Sequence, residues 1–156
     1  MIESLVLASV LSVSSAPIAT CDDRRVQILE DAGFQGRDRR AAFAIVWRES
    51  RFTNLGPGDA LWNTQDWGWW QLNKPTWGDE DWWSDTSMLN PREQSRIVYR
   101  MTKHGRDWRH WGIGEAHGRY GLDPTYYQGI WSDAQMQSWI VAPFNEGWSK
   151  FPKACR

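Results

Sequence analysis

In the stretch AIVWRESRF, residues 44–52, Glu49 follows a run of uncharged, mostly apolar residues from Ala41 to Trp47. A surface glutamate needs no such neighbourhood. Residues three and four apart on a helix share a face, which sets Glu49 over Ile45 and Val46, with Ala42 below them. Apolar surroundings disfavour a carboxylate, and a glutamate that keeps its proton near neutral pH is a general acid. The competing reading is an ordinary carboxylate that pairs with Arg48 or Arg51, or frays into solvent at the helix end. Pattern alone leaves both open.

The elements that must carry this residue are legible from caps and breakers. DDRRVQILEDAGF offers Asp22 or Asp23 as N-cap, places Val26, Ile28, Leu29 and Ala32 on one face, and stops at Gly33. A second helix is expected from Asp38, as its cap, to Arg48. NLGPGDALWNTQD is a loop, and WGWWQLNKPTWGDEDWWSD, broken by Gly68, Pro75 and Gly78, is a short irregular or helical piece followed by another loop. NPREQSRIVYRMTKHG predicts a helix capped by Asn90, begun by Pro91 and ended by Gly105, with Ile97, Val98 and Met101 as its stripe. SDAQMQSWIVAPF predicts a last helix, closed by Pro143. The expected fold is mainly α, one domain with a loop-rich aromatic middle.

A chain of 156 residues can build one real core. Its formal net charge of −1 argues against electrostatic attraction to nucleic acid or an anionic membrane, and Arg37, Arg39 and Arg40 are offset by Asp31 and Asp38. Thirteen tryptophans are the compositional oddity. Trp47, Trp62, Trp67, Trp69, Trp70, Trp77, Trp82 and Trp83 crowd one region, which suggests exposed or cleft-lining indoles that would suit sugar rings, protein partners or single-stranded bases, the last disfavoured by the charge balance. Residues 1–20 carry an apolar stretch, Leu5 to Val13, then small residues around Ala16 and Ala19. They read as a secretory signal peptide, although the leader lacks a basic start, and the stretch is too short to span a bilayer. The alternative is an apolar segment packed on the domain, residues 21–156. Cys21 and Cys155, the only cysteines, flank that domain. A bridge between them is expected, as in an oxidising compartment; free thiols in a reducing cell are the alternative.

RESRF, a glycine-rich loop and GWWQLNKPTW, in that order, resemble the glutamate–serine and glycine–glutamine blocks of the lysozyme-like superfamily. Within it, the likeness is to soluble lytic transglycosylases, goose-type lysozymes and phage transglycosylase-like domains. NPREQSRIVYRMTKHGRDWRHWG is similar to the family's next helix with its closing W..W pair, so the resemblance runs from about Val26 to Gly112. It implies an α-rich lysozyme-like fold that cleaves peptidoglycan glycan strands, with Glu49 as catalytic acid beside Ser50. Cleft and substrate-binding roles are expected with it for Ser50, Gly68, Trp69, Trp70, Gln71, Asn73, Trp77 and Tyr99. Trp69 and Trp70 stand where the family has an aliphatic or phenylalanine pair, and no clean AYNxG segment follows Gly112; HGRYG, with Tyr120, is the nearest substitute.

The second carboxylate decides the product. An inverting lysozyme needs a base about 6.5–9.5 Å from the acid to hold water. Asp59 and Asp66 are the choices, and Asp66 could equally cap the turn that enters GWWQ. Without a base, one glutamate can act as acid and then as base while the sugar's own 6-hydroxyl attacks. His104, His110 and His117 match no compact metal spacing, and DEDWWSD lacks the regular ligand spacing of a calcium loop. The sequence therefore predicts an exported, cell-wall or virion-associated muramidase or lytic transglycosylase, without metal or cofactor. It would act on peptidoglycan or a related glycan as a monomer or as part of a delivery assembly. A non-catalytic glycan-binding module on the same scaffold is the rival.

Overall fold

The run from Ala41 to Val46 is completely buried, which makes its helix the axis of the molecule. In the computed structural model, which describes residues 21–57, 65–116, 119–123, 125 and 131–156, this helix is α2, Gly36–Ser50. The expected leader, Asp59, Trp62 and His117 lie outside the described residues. Before α2 comes α1, Arg24–Ala32, capped by the Asp23 carboxylate, which accepts from the Arg25 backbone N–H at 2.9 Å. After it come a small hairpin, β1 (Asp66–Trp67) and β2 (Leu72–Asn73), and two single turns, α3 (Lys74–Trp77) and α4 (Asp85–Met88). Helix α5, Pro91–Met101, starts as its Asn90-Pro91 signal predicts, with the Asn90 side chain accepting from the Arg92 and Glu93 N–H groups. A 3-10 turn at Arg109–Trp111 leads to a second antiparallel hairpin, β3 (Ile113–Ala116) and β4 (Arg119–Leu122). The chain finishes with α6 (Asp133–Met136), a π-helical segment Gln137–Val141, α7 (Ala142–Lys150) and a 3-10 turn, Lys153–Cys155.

The fold is mainly α, as expected. Helix α2 packs along α7, and α1 along α5. The first contact is close because Gly147 faces Ala44: a Cβ there would lie 2.7 Å from the Ala44 carbonyl oxygen and 2.9 Å from its Cα. Apolar side chains from every helix and from both hairpins join one core. Cys21 and Cys155 are disulfide-bonded with Cα atoms 4.8 Å apart, joining the segment that leads into α1 to the last 3-10 turn. No helix among the described residues is long and apolar enough to cross a membrane.

Three boundary expectations need correction. Helix α5 ends at Met101 with Thr102 as its C-cap, short of the expected stop at Gly105. Helix α2 starts two residues before Asp38, and no side chain caps it. Asp38 instead sits in the first turn and accepts from the Tyr120 hydroxyl at 3.0 Å, tying β4 to α2. Pro143 does not close the last helix but stands at the start of α7. It is tolerated because the π-helical segment has already shifted the hydrogen-bond ladder: the Ala142 N–H reaches back five residues to the Gln137 carbonyl, at the point where proline would otherwise break an α-helical bond.

Candidate functional site

The C-terminal turn of α2, the β1–β2 hairpin, α3 and the 3-10 turn after α5 enclose a cleft of about 810 Å³. Glu49, Asp66, Gln71, Asn73 and Trp77 all line it. Five residues singled out from the sequence are thus brought together across a hairpin whose own geometry is tightly specified.

The hairpin turns on Gly68-Trp69-Trp70-Gln71, with Gly68 and Gln71 both at positive φ (71° and 49°). Each of the four carbonyls from Trp67 to Trp70 accepts a side-chain bond. Gln94 Nε2 donates to Trp67 O (2.7 Å), Gln71 Nε2 to Gly68 O (2.8 Å), Ser50 Oγ to Trp69 O (2.8 Å) and Trp111 Nε1 to Trp70 O (3.3 Å). Gln94 Oε1 also accepts from the Trp70 N–H at 3.2 Å, and Ser95 Oγ accepts from the Trp70 indole at 3.0 Å. Helices α2 and α5 therefore grip the turn from two sides. Buried amide groups need such partners, and here side chains supply what a longer sheet would.

These contacts correct several expected roles. Ser50 is buried against the Trp69 carbonyl, so it holds the hairpin rather than facing the cleft. Trp69 and Trp70 are core residues: the Trp70 indole lies parallel to Trp108 with centroids 6.3 Å apart, and Trp69 meets Phe52 edge to face. Neither can offer a sugar an open ring face, and Trp67 is buried as well. Gly68 is spatially obligatory, since a Cβ would collide with the Met88 carbonyl oxygen and with the Gln94 amide. Tyr99 packs edge to face on Phe34 (5.0 Å) and against Gly33, away from the cleft. Among the described residues, half-buried Trp77 and buried Trp111 line the cleft, and Trp82 lies 6.0 Å from Trp77 with Trp83 beside it.

The carboxylates are less alike than their shared cleft suggests. Asp66 Oδ1 accepts from Asn73 Nδ2 at 2.8 Å across the hairpin, while Asn73 Oδ1 caps α3 through Thr76. Glu49 is not surrounded by apolar groups alone: Arg48 donates to its Oε1 through Nε (2.8 Å) and through Nη2. That is the pairing the sequence left open. A third acid, Asp107, lines the far wall and accepts from Arg109 and Lys103. The bond from Arg109 chiefly holds the Asp107 carboxyl well below the usual carboxylate range, so it is an anion at any physiological pH.

Sequence reasoning named Arg48 only as an alternative partner for Glu49, and it missed Gln94, Asp107 and Arg109. Gln94 had a signal, since it stands three and four residues before Ile97 and Val98, on the buried stripe of α5. Asp107 and Arg109 flank Trp108, the first of the W..W pair, where nothing local marks them as cleft-facing. His110 also lines the cleft, 5.4 Å from Trp77, while His104 packs at a tilt against Tyr99. Among the described residues no group of three or more His, Cys, Asp or Glu side chains is disposed to hold a metal ion. Compared with protein-family models, with curated proteins and with solved structures, the chain matches none.

Proposed function

We propose that the protein cleaves peptidoglycan glycan strands between MurNAc and GlcNAc, as a lytic transglycosylase or lysozyme of lysozyme-like fold, with Glu49 as the general acid. The observation that carries this reading is the cleft itself: Glu49 and Asp66 open into one groove lined by the amides of Gln71 and Asn73 and by the Trp77 indole. Carboxylates beside polar hydrogen-bonding groups and an aromatic face are the equipment of glycoside chemistry.

In the proposed reaction Glu49 gives its proton to the glycosidic oxygen as the C1–O bond breaks, and the carboxylate so formed then takes a proton from the nucleophile. If the nucleophile is the 6-hydroxyl of the same sugar, the product is a 1,6-anhydro end. If it is water held by a second carboxylate, the product is a reducing end. Asn73 holds Asp66 at one oxygen, Oδ1, which leaves the second carboxylate oxygen for either route. Mass spectrometry of digested peptidoglycan separates the two products by one water. Glu49→Gln should lose about 10²–10⁴-fold in rate while remaining folded. Activity within tenfold of wild type would remove Glu49 from the mechanism. Reducing ends only, together with an inactive but folded Asp66→Asn variant, would give the hydrolytic route instead.

The non-catalytic glycan-binding reading draws on one observation, the Arg48 guanidinium that already occupies one oxygen of Glu49. A wild-type protein that clears no cell-wall suspension, yet changes its tryptophan fluorescence with muropeptides, would establish it.

A further inference from the structure

Adjacent residues on a helix point about a quarter-turn apart and do not ordinarily meet. Arg48 and Glu49 do meet, and the cause lies outside the helix. Arg48 Nη1 donates to the main-chain carbonyl of Trp111 at 2.8 Å. That carbonyl cannot drift, because the Trp111 indole is buried, donates to Trp70 O and packs against Trp70 and Trp108. The aromatic core thus fixes one arm of the guanidinium, and the planar fork of the group then fixes the other two nitrogens. Both fall on the same atom, Glu49 Oε1. Oε2 receives no hydrogen bond from the described residues. Arg48 is 10% exposed and Glu49 22%, so the pair sits at the cleft wall rather than waving in solvent.

Resting on the glycan-cleaving reading above, we infer that Arg48 is a positioning residue that holds Oε1 of Glu49 and reserves Oε2 as the atom that gives and takes the proton. An oxygen that accepts two N–H bonds can go on accepting them whether the carboxyl is neutral or ionised, because the carbonyl oxygen of a neutral acid is itself an acceptor. The proton is therefore directed to the other oxygen. Arg48 makes no bond to the sugar in this role. It removes the rotational freedom that would otherwise carry Oε2 away from the glycosidic oxygen, and misplacement on the scale of 1 Å is enough to cost about 10²-fold in rate.

The test uses the whole protein and purified cell walls. Arg48→Met should remain folded and lose about 10²-fold in kcat with little change in KM. Guanidinium chloride below denaturing concentration should restore part of that loss, whereas ammonium chloride should not. Should Arg48→Met fail to fold, Arg48→Lys keeps the charge but lacks the fork that spans Trp111 O and Oε1. It should fold and still fall short of wild-type kcat. Wild-type kcat in folded Arg48→Met or Arg48→Lys overturns the inference, as does a loss confined to KM. A separate measurement needs no turnover: exchange of the Arg48 Nε–H with solvent, followed by NMR, should be slow in wild type and fast in Glu49→Ala. Slow exchange in a protein that cleaves no wall would leave the pair standing and remove the glycan-cleaving reading. Fast exchange in an active wild type would do the reverse.

Discussion

Gly68→Ala puts the hairpin beneath the cleft to its severest test. Three costs coincide at this position. The residue sits at φ 71°, where a side chain costs about 1–2 kcal/mol. Its new Cβ would drive into the Met88 carbonyl oxygen, a backbone atom at the end of α4, and overpacking of that kind costs about 1–3 kcal/mol. It would also displace the Gln94 amide, whose Nε2 stands 2.8 Å from the Cβ position. Trp67 O and the Trp70 N–H would then be left unpaired in the core, at about 1–3 kcal/mol for each buried group. The expected loss is about 3–6 kcal/mol after partial relaxation, or a fall in Tm of at least roughly 6 °C for a chain of this size. Two other glycines calibrate the measurement. Gly36→Ala shares the positive φ (51°) but has open space around its Cβ, so it isolates the backbone strain. Gly121→Ala in β4 has neither the strain nor the neighbours, and should change stability by less than about 0.5 kcal/mol. Thermal and urea unfolding of the three variants should rank Gly68 first by about 2 kcal/mol or more. A Gly68→Ala variant no less stable than Gly36→Ala would refute the two-sided grip on the turn.

Removing the Cys21–Cys155 bridge, which closes 134 residues of chain, should cost about 5 kcal/mol in the chain-entropy model. A Cys21→Ser, Cys155→Ser protein whose Tm stays within about 3 °C of wild type would refute that estimate. Asp107 and Asp23 are both held below the usual carboxylate range, chiefly by Arg109 and Arg25. In this range the unfolded chain binds more protons than the folded one, so their contribution is complete above about pH 4 and is lost as pH falls below it. Urea unfolding across that range should give a shallower acid decline for Asp107→Asn than for wild type, and identical slopes would count against the Arg109 bond.

What the sequence disclosed and what it hid divide along the range of the interactions. Helix α5 was legible because Asn90 and Pro91 act within one turn of themselves. The start of α2 was not, because the Asp38 carboxylate, a good local cap, is bound by Tyr120 from 82 residues away. Glu49, Asp66, Gln71, Asn73 and Trp77 were read as one site from block order, and they do line one cleft. The fates of Trp69 and Trp70 went the other way. An indole N–H discourages burial until a partner is known, and the partner of Trp70 is Ser95, on a helix that local pattern cannot place against it. The Arg48–Glu49 pair was weighed as one alternative, but its anchor, a main-chain carbonyl at Trp111, leaves no mark in side-chain identity.

The side-chain bonds to the carbonyls of the Gly68–Gln71 turn have a bearing on how such a cleft can change its taste. Each of the four oxygens from Trp67 to Trp70 already holds one side chain, so a ligand would have to compete for, or share, an acceptor that the fold uses. Discrimination among ligands at this floor falls to side chains such as Trp77, which lies in the cleft but holds none of those oxygens. Scaffold and selectivity are thereby written largely in different residues. A saturation library across the region should separate into two populations. Changes at Ser50, Gly68 and Gln94 would be lost to misfolding, while changes at Trp77 would survive and shift which ligand is preferred. Gln71 belongs to both groups, since its amide holds Gly68 O while its side chain lines the groove. It is the position where a new preference and a weaker fold would be inherited together.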